Sequence, residues 1–76
     1  MHSLRVECYE GYKTHERPRY IVVDGKRRMV ERVIDQWRTP EFEFFNTLAE
    51  DGRMYLLRYD REHDIWELKG IGTGTF

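Results

Sequence analysis

The sequence predicts an all-β domain, a small SH3-like antiparallel barrel of five to six strands, with an OB-like barrel as the alternative. One observation is the pair Asp24-Gly25 between two runs rich in β-branched residues, the strongest short-range signal for a β-hairpin. A second Asp-Gly pair follows at residues 51–52, and apolar residues alternate along several short segments. Because an open sheet of short strands exposes two edges, such a sheet is expected to curl into a barrel.

The first predicted strand covers residues 4–9, in which every second side chain contributes to one apolar face. Apolar and polar residues do not alternate in residues 10–18. This segment contains Gly11 and Pro18 among mostly polar residues, which predicts a long loop. Long loops in compact domains are frequent sites of binding.

The hairpin returns as one long strand, predicted over residues 26–37. Strict alternation fails at Val33-Ile34, which predicts a β-bulge or a sharp bend there. We expect the bend to turn Val30, Ile34 and Trp37 toward a common core and to let the strand serve both halves of the barrel. The same spacing also fits one face of a helix, which is the competing interpretation.

Three more strands are predicted at near-regular spacing, over residues 42–48, 54–59 and 65–68. Residues 1–69 then form a single β-barrel domain. Residues 70–76 are rich in glycine and are predicted to form a flexible C-terminal tail.

The composition indicates a domain that depends on its rings for stability. A chain of 76 residues is near the size at which one core only just suffices, and this one has four Phe, five Tyr and two Trp. The net charge is −1, but residues 1–38 carry nine Lys or Arg against six acids, whereas residues 39–76 carry four against eight. This asymmetry fits either a basic face on the first hairpin or ion pairs between neighbouring strands, and the ion pairs are the favoured interpretation.

The sequence predicts neither an enzyme nor a metal or cofactor site. Cys8 is the single cysteine, and no histidine pair has the spacing of metal ligands. Asp60, His63 and Asp64 crowd one turn and His15 lies in the long loop, but titratable residues in polar loops are usually just solvated. There is no signal-peptide pattern and no apolar run near about 18 residues, so we expect a cytoplasmic protein without membrane contact.

Two kinds of binding remain open. Cations cluster at the hairpin tip and in the long loop with tyrosines between them, which suits a nucleic-acid backbone and stacked bases. The pI of about 6.3 is below that of a dedicated nucleic-acid-binding domain. Small barrels also present an aromatic groove or an edge strand to a protein partner or a second copy, with Tyr9, Tyr12, Tyr55 and Tyr59 as candidates. The predicted binding surface consists of Tyr12, Arg17, Arg19, Lys26, Arg27 and Arg28.

A pattern of turn residues, apolar residues and one charged segment runs through most of the chain: Glu16-Arg17-Pro18-Arg19, Gly25, Val30, Ile34, Trp37, Phe44-Phe45, Asp51-Gly52, Tyr55, Leu57, Asp60, Trp66 and Leu68. In this pattern residues 16–68 resemble a family of small bacterial domains of unknown function. Similar segments occur as stand-alone chains and as the C-terminal part of proteins related to Y-family DNA polymerases. The resemblance implies an accessory contact to DNA or to a repair protein. We therefore expect a non-catalytic protein-interaction module, with a nucleic-acid-binding accessory domain linked to DNA repair or replication as the alternative.

Overall fold

The computed structural model describes residues 3–8 and 17–73, and within these ranges the chain forms strands and turns without a helix. The strands are β1 (Leu4–Cys8), β2 (Pro18–Val23), β3 (Lys26–Arg38), β4 (Phe42–Ala49), β5 (Arg53–Asp60) and β6 (Ile65–Thr73). They form one antiparallel sheet in the order of the sequence, from β1 to β6. The predicted all-β antiparallel class is confirmed, and the helical interpretation of residues 26–37 is wrong.

The sheet curls on itself into a half-closed barrel, and β3 connects its two halves. The first residues of β3, from Lys26 to Met29, pair with β2, whereas the stretch from Val30 to Arg38 pairs with β4. The edge strands β1 and β6 approach each other, although no ladder joins them within the described ranges. The predicted role of the long strand, serving both halves of the barrel, is confirmed.

Two β-bulges interrupt the pairing of β3 with β4. The register shifts between Val30 and Arg32 and again between Val33 and Asp35. Each shift adds one residue to β3, so the alternation of faces restarts after it. The bulge predicted at residues 33–34 is therefore confirmed, but its consequence for the core differs from the expectation. Val30 and Val33 pack against the core, whereas the Trp37 side chain is on the opposite face and 45% exposed.

The core lies on the concave inner face of the curled sheet. Its cluster of buried hydrophobic residues comes from β2, β4 and β5 and consists of Ile21, Phe45, Ala49, Tyr55 and Leu57. In β4 and β5 buried residues alternate with half-buried ones, so the inner face takes every second side chain. Leu4 and Val6 of β1 and Trp66 and Leu68 of β6 pack against this cluster from the two edges.

The turns contain the left-handed backbone conformations that the two Asp-Gly pairs predict. Asp24 and Gly25 have φ angles of 51° and 82°, as a type I′ hairpin turn requires, and Gly52 has a φ of 80°. The hairpin turn is also tied to the start of β1, because the Asp24 amide donates to the Ser3 carbonyl at 3.0 Å.

The boundary predicted for the C-terminal tail is wrong for residues 70–73. Strand β6 runs to Thr73, and Gly70 and Gly72 pair with Leu56 and Met54 of β5. Pairing to a neighbouring strand offsets the conformational entropy that glycine loses on ordering. Residues 74–76 lie outside the described residues.

Candidate functional site

The structure separates the basic residues predicted to form one surface. The hairpin places Lys26 opposite Val23 and Arg28 opposite Ile21, so both cations belong to the inner side of the sheet. Arg27 lies between them in sequence and therefore faces outward. The sixth predicted residue, Tyr12, lies outside the described residues.

Arg27 is engaged with its neighbours on the outer side. Its Nη2 donates to Glu7 Oε1 at 2.9 Å, and its guanidinium carbon lies 3.6 Å from the centre of the Tyr20 ring. The hydrogen bond from Arg27 is the main reason that the pKa of Glu7 is lowered. Arg27 thus forms a cross-strand ion pair and a cation–π contact, which agrees with the interpretation that charges on neighbouring strands pair with each other.

Arg17 and Arg19 are exposed at the other end of β2. They border a shallow depression together with Met29, Val30 and Glu31. Arg19 lies 5.9 Å from the Tyr20 ring that Arg27 also covers. The predicted basic residues therefore do not form one surface, because Lys26 and Arg28 belong to the inner side of the sheet, whereas Arg27 faces outward.

Lys26 and Arg28 line a half-open cleft of about 340 Å³. The cleft lies between the β2–β3 hairpin, the β4–β5 turn and the end of β6, which contribute Val23, Arg53 and Ile71 respectively. We call it the hairpin cleft. Sequence reasoning missed Arg53 as a neighbour of the basic hairpin, because the two segments meet only through the curling of the sheet.

Asp51 anchors one wall of the hairpin cleft. Its Oδ2 accepts the Tyr55 hydroxyl at 2.7 Å and lies 3.5 Å from Arg28 Nε, while its Oδ1 accepts the Arg53 amide at 3.0 Å. Burial acts to raise the pKa of Asp51, but these hydrogen bonds and the two nearby guanidinium groups together lower the pKa below its ordinary value. Burial, and then the bond to Asp51, raises the pKa of Tyr55.

The Tyr55 and Tyr59 rings are not on a half-exposed surface, contrary to the expectation, although Tyr55 also lines the hairpin cleft. Both rings belong to the buried inner face, with exposed fractions of 5% and 2%. Their hydroxyls donate to carboxylates at the rim of the barrel, Asp51 for Tyr55 and Asp64 for Tyr59. The rings are core residues whose polar ends reach partners at the barrel mouths.

The outer face of strands β3 to β6 carries a group of large apolar side chains that was not predicted from the sequence. Cross-strand pairing places Trp37 opposite Phe44, Phe44 opposite Arg58 and Arg58 opposite Glu67. The neighbouring rows of this face add Phe42, Leu48, Met54, Leu56 and Ile65. We call this set of residues, with Trp37 and Phe44, the outer aromatic face.

Ring contacts hold the centre of the outer aromatic face in one arrangement. The Trp37 and Phe44 rings are stacked with centroids 5.2 Å apart and planes 7° apart, and Phe42 meets Phe44 edge-on at 6.3 Å. Arg58 covers the Phe42 ring at 4.2 Å and donates through Nε to Glu67 at 2.9 Å. The face is therefore a preformed apolar surface whose central charges are already paired.

The sequence carries a signal for this face. In β4 both alternating sets contain phenylalanine, so one set must face away from the core. On β6 the outward positions opposite Leu56 and Met54 are glycines, which leave the surface there low and open. An apolar outer face of this kind is a typical mark of a protein–protein contact.

No protein-family model matches the chain, and neither the curated proteins nor the solved structures contain a match. The resemblance on residues 16–68 therefore stays a prediction.

The turn that carries Asp60, His63 and Asp64 is organised by hydrogen bonds within itself. Asp60 Oδ1 accepts the amides of Glu62 and His63, and its Oδ2 lies 2.8 Å from His63 Nδ1. Among the residues that the structure describes, no group of three His, Cys, Asp or Glu side chains could hold a metal ion. A helix capable of crossing a membrane is likewise not found in the described part of the chain.

The His63–Asp60 pair makes stability depend on pH. Its hydrogen bond, followed by the charge of Asp60, raises the pKa of His63 above the ordinary value of 6.5, and the same bond lowers the pKa of Asp60 below 3.8. The contribution of His63 to the free energy of unfolding is complete at a pH below the pKa that His63 has in the unfolded chain. It is lost as the pH rises through the higher pKa of His63 in the folded chain. The contribution of Asp60 is complete at a pH above the pKa that Asp60 has in the unfolded chain. It is lost as the pH falls through the lower pKa of Asp60 in the folded chain.

We expect an NMR titration of the His63 ring to give a pKa above 6.5, and Asp60→Asn to return it toward 6.5. Asparagine keeps an oxygen that can accept the two amide bonds, so the turn itself is retained. A wild-type His63 pKa at or below 6.5 would contradict the geometry of the pair.

Proposed function

We propose that the chain is a cytoplasmic, non-catalytic protein-interaction module, and that the outer aromatic face is its binding surface. The observation that supports this is the half-exposed Trp37, stacked on Phe44 at the centre of an apolar sheet face. A domain this small needs its aromatic side chains for the core. A tryptophan on the outer face therefore indicates contact with a binding partner. Tryptophan is also the residue type most enriched among interface hot spots. In this proposal the half-closed barrel belongs to the SH3-like class.

The partner that best fits the face is a second copy of the chain. Arg58 is paired with Glu67, and Asp60 is paired with His63. When two identical faces meet, the charges in the rows of Trp37 and Phe42 are therefore already paired within each copy. Two-fold homodimers are also the commonest symmetric assemblies.

A nucleic acid fits the outer aromatic face less well. Single-stranded binding sites combine stacking rings with cations that follow the phosphate backbone. Here the central cation, Arg58, is held by Glu67 and covers the Phe42 ring. The nucleic-acid-binding alternative stays a prediction, and titration of labelled oligonucleotides at low salt tests it.

Self-association is tested by sedimentation velocity on the full chain across a wide concentration range. We expect the wild type to form a dimer, and Trp37→Lys to raise its Kd about 30-fold or more, as loss of a hot spot worth at least about 2 kcal/mol requires. Met29→Lys is the matched control, because Met29 is on the same strand, is 41% exposed and lies outside this face.

Two results would contradict the proposal. A wild-type chain that stays monomeric at about 1 mM would exclude self-association of any practical strength. Equal weakening of the dimer by Trp37→Lys and Met29→Lys would assign the contact to another surface. Circular dichroism of each variant separates loss of association from loss of folding.

A further inference from the structure

The hairpin cleft has an excess of positive charge that the described residues leave unsatisfied. Three cations line it, Lys26 and Arg28 from β3 and Arg53 from β5, against the two carboxylates Asp24 and Asp51. The Asp51 carboxylate is occupied by the Tyr55 hydroxyl, the Arg53 amide and Arg28. Asp24 Oδ1 accepts the Ser3 amide at 3.0 Å, which ties this carboxylate to the start of β1.

Lys26 and Arg53 therefore keep their charges available to the cleft. Within residues 3–8 and 17–73, no carboxylate lies at ion-pair distance from either side chain. The two cations come from different strands, since Lys26 begins β3 after the β2–β3 turn and Arg53 begins β5, and both line the cleft. A compact anion between them would receive charge-assisted hydrogen bonds from two directions.

The remaining walls of the cleft are apolar. Val23, which is next to the hairpin turn, packs against the core, and Ile71 of β6 is 44% exposed. The volume of about 340 Å³ is at the lower end of the range for small-molecule sites. The combination of two available cations and an apolar wall suits a small molecule with an anionic group at one end and an apolar group at the other.

We propose that the hairpin cleft binds a small phosphate monoester, with Lys26 and Arg53 holding the phosphate and Ile71 contacting its apolar part. Arg28 is a positioning residue in this site, because its ion pair with Asp51 orients both side chains on one wall. The site is on the inner side of the barrel. It is therefore independent of the outer aromatic face and of the proposed self-association.

The test is a titration of the isotope-labelled full chain, followed by NMR, with phenyl phosphate as the probe. We expect saturable shifts of the amides of Lys26, Arg53 and Ile71, and tighter binding of phenyl phosphate than of inorganic phosphate. Lys26→Ala and Arg53→Ala should each weaken binding about tenfold, as loss of a hydrogen bond to a charged group implies. Arg32→Ala, which removes an exposed cation from the same strand β3 outside the cleft, should leave binding unchanged.

Three outcomes would overturn this assignment. The first is the absence of saturable shifts at high millimolar phenyl phosphate. The second is an Arg32→Ala variant that loses as much affinity as Arg53→Ala, which would show attraction to overall charge rather than a site. The third is binding of a short DNA duplex through Lys26 and Arg53 without binding of the monoester, which would assign these cations to nucleic acid. Because Lys26 and Arg53 are exposed, the variants are expected to stay folded.

Discussion

Replacing Phe45 with alanine is expected to lower the free energy of unfolding by about 3–5 kcal/mol. Phe45 is 1% exposed and is the largest side chain that the fold buries completely. It packs with Ile21 and Leu57 in the core cluster, and its ring lies 5.5 Å from that of Trp66. A chain of 76 residues has a total stability of only about 4–11 kcal/mol. The substitution should therefore remove a large part of the stability, or all of it.

Phe44→Ala is the matched control for this prediction. The two phenylalanines are adjacent in β4 but belong to opposite faces, and Phe44 is only half-buried. We expect Phe44→Ala to cost about 2 kcal/mol or less, the value of partial burial and one ring contact. Urea unfolding followed by circular dichroism measures both variants. Equal losses at the two positions would contradict the assignment of inner and outer faces.

Replacing Glu43 with methionine is expected to raise the free energy of unfolding by about 1–3 kcal/mol. Glu43 is a carboxylic side chain that is 4% exposed on the inner face. Its Oε2 accepts Gln36 Nε2 at 3.2 Å, and its Oε1 has no hydrogen-bond partner among the described residues. Methionine has a similar length and no polar atom to desolvate. Gln36 is exposed, so its amide can turn to water when the carboxylate is removed.

Glu67→Met is the control for the effect of removing one negative charge. Glu67 is the partner of Arg58 on the outer face and is partly exposed, so its ion pair is worth only about 0–1 kcal/mol. We expect that variant to be unchanged or slightly less stable. A large loss of stability in Glu43→Met would mean that the carboxylate makes a stabilising contact in solution. Glu43→Gln then shows whether that contact depends on charge or on hydrogen bonding.

Turn chemistry and residue alternation predicted most of the fold. Asp24-Gly25 set the hairpin, because both residues must adopt positive φ angles in a type I′ turn. The break in alternation at residues 33–34 located a bulge correctly, because local pattern determines where a strand loses its period. The glycines at the C-terminal end were misinterpreted, because their low intrinsic preference for a strand is overcome by pairing with β5.

The sites were predicted less well, because a site depends on which distant segments meet. The basic hairpin residues were predicted to form one surface, but Arg27 is paired with Glu7 of β1. Arg53, which is distant in sequence, joins Lys26 and Arg28 across the hairpin cleft. Tyr55 and Tyr59 were expected on a half-wet surface, and burial of their rings became evident only when the inner face was known.

By itself, the sequence determined the all-β class, the positions of the turns and the bulge in the long strand, since each follows from backbone preferences within a few residues. The tertiary structure alone decided which alternating set of side chains faces inward. The two bulges in β3 bring Val33 to the same inner face as Val30, which strict alternation would not do, and after the second bulge Trp37 is again on the outer face. Cross-strand register then aligns Trp37 with Phe44 and Arg58. Register depends on pairing between segments that are distant in the sequence. A shift of one residue in that pairing exchanges the two faces of a strand.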